Sequence, residues 1–191
     1  MALGWYGTNE NDGISWTCGY CGNDVGGNVG YRRDPYHENG DRIYICPLCE
    51  CPTAFISNSH SRFAQIPNAA YGNAVESLPD SVAALYDEAR QCIQHSAYTA
   101  AVLALRKLLM HVAVDCGADE DLQFIKYVDY LDSVHYIPPN ARNWVDALRK
   151  YGNDATHQIV LMNESEAKLL LDFAEMLLKI VYEFPAKNAN H

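Results

Sequence analysis

The chain has no surplus of positive charge and no long uninterrupted apolar run. Its 191 residues include 14 Lys and Arg against 24 Asp and Glu, a formal net charge of -10. Binding along a phosphate backbone draws on clustered cations that displace counterions, so this balance argues against a broad duplex-binding surface. The deficit is spread over both parts of the chain, with 4 basic and 8 acidic residues in 1–77 and 10 and 16 in 78–191. Any nucleic-acid contact has to rest on a few placed side chains. The longest apolar stretch is cut by Arg106-Lys107, well short of the about 20 residues that span a bilayer as a helix. Met1-Ala2-Leu3-Gly4-Trp5 carries neither the basic region nor the apolar run of a secretion signal. A soluble, cytoplasmic protein without membrane association is expected. An internal repeat, a glycine-rich phosphate loop, a serine nucleophile elbow and a His-Glu metal-binding helix are also missing from the sequence.

What is present is a globular composition, 49% hydrophobic and 20% charged, with seven cysteines. At about 150 residues per domain the length gives one full core and a smaller unit. In a reducing compartment cysteines signal metal before disulfides. Cys92 and Cys116 sit singly in apolar periodic stretches and read as small core residues. The other five fall within residues 18–51 and contain two C-x2-C pairs, Cys18-Gly19-Tyr20-Cys21 and Cys46-Pro47-Leu48-Cys49. That spacing lets one tight turn aim two thiolates at a tetrahedral ion, and two such turns complete a four-thiolate shell. Cys18, Cys21, Cys46 and Cys49 are therefore the expected ligands of a structural zinc ion, with Cys51 an alternative to Cys49. A closed shell leaves no position for substrate.

The flanks fit a zinc ribbon. Ile14-Ser15-Trp16-Thr17 and Arg42-Ile43-Tyr44-Ile45 alternate with a period near two, and each reads as a strand that delivers a cysteine pair. Asn39-Gly40 is a hairpin signal before the second. Between the pairs lie Tyr31-Arg32-Arg33-Asp34-Pro35-Tyr36-His37, with Arg42 and Tyr44 following. Arginine and aromatic side chains can contact phosphates and stack bases, which makes Arg32, Arg33 and Arg42 candidate nucleic-acid contacts. Interleaved Asp24, Asp34, Glu38 and Asp41 favour a solvated hairpin instead.

Residues 57–79 are rich in Ser, Asn, Ala, Gly and Pro and carry no sustained apolar period. Beyond them the period becomes helical. Helices are expected over about 80–95, from Tyr98 to Cys116 and from Asp121 to about Ser133. A fourth starts near Pro139-Asn140, and a last runs from the capping-box-like Asn163-Glu164-Ser165-Glu166 to Phe184 before Pro185. The second, apolar nearly all round, is expected to be central, with Arg106 reaching a carboxylate such as Glu88. The expected fold is mainly α: an antiparallel bundle of about five helices with a small N-terminal β zinc ribbon. The expected boundaries are 1–57 ribbon, 58–77 linker, 78–185 helical domain and 186–191 tail.

Leu148-Arg149-Lys150-Tyr151-Gly152-Asn153-Asp154-Ala155-Thr156-His157 joins a helix end, a Gly-Asn signal and a histidine. On a continuous helix Asn153 and His157 share a face, with Arg149 one turn earlier. Together with Leu78-Pro79, Leu85-Tyr86-Asp87-Glu88-Ala89-Arg90, Tyr98-Thr99-Ala100-Ala101, Leu105-Arg106 and Leu170-Leu171-Asp172-Phe173, this element resembles the domain-of-unknown-function 4145 family over roughly residues 78–185. The resemblance implies a HEPN-like helical domain, a prokaryotic defence or restriction setting and a homodimer formed through the helices. It also implies a comparison with metal-independent ribonucleases, in which a histidine moves a proton and a nearby arginine stabilises charge on the phosphorane-like transition state. Here Gly152 stands where that arginine is implied, and Arg149 lies eight residues before His157, about 12 Å of helical rise. The leading expectation is a non-catalytic binding or adaptor protein that contacts RNA or a defence-system protein. The alternatives are a ribonuclease using His157, Asn153 and Arg149, and a purely structural subunit of a larger complex.

Overall fold

A computed structural model of the chain describes residues 7–33, 40–57, 63–138 and 161–189. The chain forms two compact units, Met1–Ala70 and Tyr71–His191.

The first unit is a five-stranded antiparallel meander in the order β1-β2-β3-β4-β5. Its strands are β1 (Asn9–Thr17), β2 (Asp24–Arg32), β3 (Arg42–Ile45), β4 (Pro52–Ser57) and β5 (Phe63–Ile66). Trp16, Val25 and Tyr44 are buried with Cys18 and Cys46, and Phe55 packs against them. The Trp16, Tyr44 and Phe55 rings meet at centroid distances of 5.6 to 6.1 Å, within the range of favourable edge contacts. A core this small leaves much of its stabilisation to another source.

The sheet corrects the expected mainly α bundle of about five helices with a small ribbon. Of the described residues about 46% are helical and 21% lie in strands, with four helices beside the five-stranded sheet. β2 went unread because glycine interrupts its alternation, and the structure requires those glycines. A Cβ on Gly27 would press on the Trp16 ring at 3.3 Å, and one on Gly30 would sit 1.8 Å from the Ile43 carbonyl oxygen. The expected fourth helix, near Pro139-Asn140, lies outside the described residues.

In the second unit α1 (Asp80–Gln94), α2 (Tyr98–Asp115) and α3 (Phe124–Ser133) are followed by α4 (Glu164–Leu178). α2 is central and packs against α1, α3 and α4. Its Ala101, Val102, Leu105, Leu108, Leu109 and Val112 are buried, which explains why its sequence is apolar on most sides. Gly117, at φ 103°, ends it. Arg106 places its guanidinium 4.6 Å from the Phe124 ring centroid, a cation–π contact, and burial pulls its pKa down. Asn163 starts α4 with a reciprocal capping box: its side chain accepts from the Glu166 N–H at 3.0 Å, and its own N–H donates to Glu166 Oε2 at 2.9 Å. Pro185 does not stop the chain as expected. α4 passes through a π-helical turn (Lys179–Glu183) into a helical segment, Phe184–Ala189. The wider turn, closed by the Phe184 N–H on the Lys179 carbonyl, gives the proline ring room against the preceding carbonyls.

The stretch before α1 is fastened to α4. Glu175 accepts from the Asn73 N–H at 2.8 Å and from its side-chain amide at 2.9 Å, and Glu183 accepts from the Glu76 N–H at 3.0 Å. Among the described residues no helix is long and apolar enough to cross a membrane.

Candidate metal centre

The two cysteine pairs sit in two copies of one turn. In the first, the Cys18 N–H donates to the Asn23 carbonyl and the Gly22 N–H to the Cys18 carbonyl, both at 2.9 Å. In the second, the Cys46 N–H donates to the Cys51 carbonyl and the Glu50 N–H to the Cys46 carbonyl, both at 3.0 Å. Spacing and backbone pattern repeat residue for residue. In each pair the first cysteine is fully buried and the second partly exposed. The turns follow β1 and β3, so the sheet brings both to one place.

The four sulfurs lie within 4.8 Å of one another and could hold a metal ion. Across the pairs, Cys18 Sγ is 3.7 Å from Cys49 Sγ, and Cys21 Sγ is 3.9 Å from Cys46 Sγ. A tetrahedral zinc with sulfurs at about 2.3 Å has S···S edges of about 3.8 Å, whereas a disulfide closes to about 2.05 Å. All four are free thiols. The donor set fits a tetrahedral thiophilic cation.

Electrostatics set two of the four thiols apart. The Asn23 backbone N–H, followed by the Asn23 side chain, pulls the Cys21 thiol down to about 6. Burial pushes the Cys49 thiol up. Four negative sulfurs this close repel one another strongly, so complete ionisation needs a cation at the centre.

Cys51, the spare thiol, is the counterpart of Asn23: it closes the second turn with its carbonyl, and its sulfur is not among the four. Two contributors were missed from sequence. Gly19 packs under the backbone of Pro67 and Asn68, whose carbonyl oxygens lie 2.7 and 2.5 Å from where a Cβ would be. Gln65 Nε2 donates to the carbonyls of Thr17 at 2.7 Å and Pro67 at 3.0 Å, anchoring the residue before Cys18. A lone Gln in a short strand offers no spacing signal that could have pointed to this role.

Arg32, Arg33 and Arg42 come together at one hollow of about 260 Å³, which Tyr31, Ile43 and Ile56 also line. Arg149, Asn153 and His157 lie outside the described residues. No curated protein and no solved structure gives a significant match to the chain. A family model described as a domain of unknown function, DUF4145, matches residues 87–190. That match covers more than half of the sequence, takes in α1 from Asp87 and continues past α4, and on it the chain belongs to the DUF4145 family.

Proposed function

We propose that the protein is a non-catalytic binding or adaptor module, in which a zinc ion held by Cys18, Cys21, Cys46 and Cys49 makes a small sheet rigid enough to present a recognition surface, in a chain that also carries the DUF4145 helical unit. The carrying observation is the sulfur geometry: four cysteine sulfurs lie within 4.8 Å of one another, two of the cross-pair distances being 3.7 and 3.9 Å, and four sulfur ligands would fill the shell of a zinc ion and leave no position for substrate. The sheet core is too small to be self-sufficient, which supports a folding role for the metal. RNA or a partner protein as ligand, a HEPN-like helical topology, a defence setting and a homodimer belong to the same proposal and rest on the family resemblance.

The test combines metal analysis with an RNA incubation. Purified protein is expected to carry one zinc per chain and to leave labelled RNA intact in the presence of a chelator of free metal. Metal-independent cleavage that disappears in His157→Ala would overturn the non-catalytic reading in favour of a ribonuclease. Zinc-free protein with a fully folded sheet would overturn the structural role of the metal.

A further inference from the structure

We infer that a hollow beside α4 binds a small organic amine, with its ammonium on the Asp172 carboxylate and its apolar body against Met176, Ile180 and Phe184. The site goes beyond the metal-scaffold reading, since all of its residues lie in the second unit.

The charge balance of the hollow sets the sign of its ligand. Two carboxylates line it, those of Asp172 and Glu175, against the single ammonium of Lys179. Glu175 is already engaged: it accepts from the Asn73 N–H and side-chain amide and pairs with Lys179. Asp172 has a neutral donor instead, the Tyr71 hydroxyl at 3.0 Å from Oδ2. Lys168, whose charge also reaches Asp172, is bound to Glu164 Oε1 at 2.6 Å and lies over the Tyr71 ring. Burial pushes the Asp172 carboxyl up in spite of the Tyr71 hydrogen bond. A partly desolvated carboxylate without a paired cation gains from a bound ammonium.

The apolar wall is a row at four-residue steps, since Asp172, Met176, Ile180 and Phe184 all line the hollow. Each step of four overshoots a turn of the α-helix by about 40°, so a straight helix would carry Phe184 about 120° away from Asp172. The π-helical turn over Lys179–Glu183 takes up an extra residue and reduces that drift. The same turn that gives Pro185 room therefore keeps Phe184 on the row. Met176 packs at the margin of the helical core, Ile180 is not part of it, and Phe184 is 50% exposed. The fold thus leaves an apolar strip uncovered next to a carboxylate. The volume of the hollow, about 540 Å³, falls within the range of about 300 to 1,000 Å³ of small-molecule pockets.

Three other ligand classes fit less well. An anion would meet two carboxylates. A metal ion lacks a donor set here, because the cysteine cluster is the one group of three or more close candidate ligands among the described residues. A lysine side chain of a partner protein would match the charge, but its narrow stem would leave most of the hollow unfilled.

The test titrates the zinc-loaded full chain, labelled on its Met and Ile methyl groups, with phenethylamine and follows it by NMR. Hydrocinnamate keeps the ring and reverses the charge, ammonium chloride keeps the charge without the body, and a lysine-containing peptide offers the same group from a protein. Saturable shifts of the Met176 and Ile180 methyls are expected with the amine. Hydrocinnamate is expected to bind at least about tenfold more weakly, and ammonium chloride to show no saturation. Asp172→Asn keeps an acceptor for Tyr71 but removes the charge, and is expected to weaken amine binding about tenfold. Phe184→Ala is expected to weaken it several-fold. Phe184 is half exposed, so its variant tests the hollow even if Asp172→Asn fails to fold. Asp119→Asn, at an exposed carboxylate outside the hollow, makes the same charge change and is expected to leave binding intact. Absence of saturable shifts, equal binding of phenethylamine and hydrocinnamate, tighter binding of the peptide, or equal effects of Asp172→Asn and Asp119→Asn overturns the proposal. Zinc content measured on the same samples tests the metal reading separately, so that either can fail while the other stands.

Discussion

Glu50 occupies in the second cysteine turn the left-handed backbone position that Gly22 occupies in the first, at φ 58° and 71° respectively. The two turns make the same hydrogen bonds, so they differ mainly in what this conformation costs. A residue with a Cβ is strained there by about 1 kcal/mol, and glycine is not.

Glu50→Gly is therefore expected to stabilise the protein by about 0.5–1 kcal/mol. Gly22→Ala is expected to destabilise it by about 1 kcal/mol, through conformation alone, since a Cβ on Gly22 meets nothing within 4 Å. Urea unfolding midpoints check both. A midpoint that falls for Glu50→Gly would show that its side chain offsets the strain.

The equivalence of Cys51 and Asn23 separates the five clustered cysteines by role. Cys51→Ser keeps the carbonyl that closes the turn and is expected to retain a full equivalent of zinc. Cys49→Ser removes one of four sulfurs and is expected to lose most of the metal and loosen the sheet. Metal analysis of the two purified variants decides it, and equal losses would mean that the ligand assignment is wrong.

Removal of the metal should affect the two units unequally. The helical unit has its own buried core, from Val82 through Leu178, whereas the sheet has a handful of buried side chains around the cysteines. Chelation is expected to abolish strand signals and expose Trp16 while the helical circular dichroism stays within about a tenth of its starting value. Collapse of the helical signal in parallel would contradict it.

Acid should loosen the clamp between Asn73 and α4. Burial raises the pKa of Glu175, but Lys179 and the Asn73 N–H and amide outweigh it, and the carboxyl ends below its ordinary value of 4.5. A lowered folded pKa means that the ionised form stabilises the fold above the ordinary value and that this contribution fades as pH falls through the folded one. Asp172 runs the other way: burial raises its pKa, so protonation there relieves strain as pH falls. The comparison is therefore with Glu175→Gln, whose melting temperature is expected to be lower at pH 7 and to depend less on pH below about 4.5. Parallel curves for the two proteins would remove Glu175 from the acid response.

Sequence patterns carried the helices further than the sheet. α1, α2 and the start of α4 follow from apolar periodicity and from the Asn163 capping box, because each records a local preference. The strands flanking the cysteines were visible for a similar reason: Ile14 to Thr17 and Arg42 to Ile45 alternate. β2 and β5 were not, since Gly26, Gly27 and Gly30 erase the alternation and a four-residue strand leaves little pattern. The four sulfurs follow from spacing alone, but the fastening of Thr17 by Gln65 and the close approach of Gly19 to Asn68 exist only after the chain folds back. The grouping of Arg32, Arg33 and Arg42 likewise depends on the register of β2 with β3.

Gln65 and Asn68 have a consequence for how little of the chain makes a working metal centre. The last of the four sulfurs belongs to Cys49, yet the Gln65 side chain that holds Thr17 and the Pro67–Asn68 backbone that covers Gly19 come about sixteen to twenty residues later. A peptide ending at Ser57 would own all four candidate ligands but lack the contacts to Thr17 and Gly19, and is expected to hold zinc less tightly than the whole sheet. Ligand identity and ligand order are thus encoded in separate stretches of this chain, and the second stretch contains no cysteine.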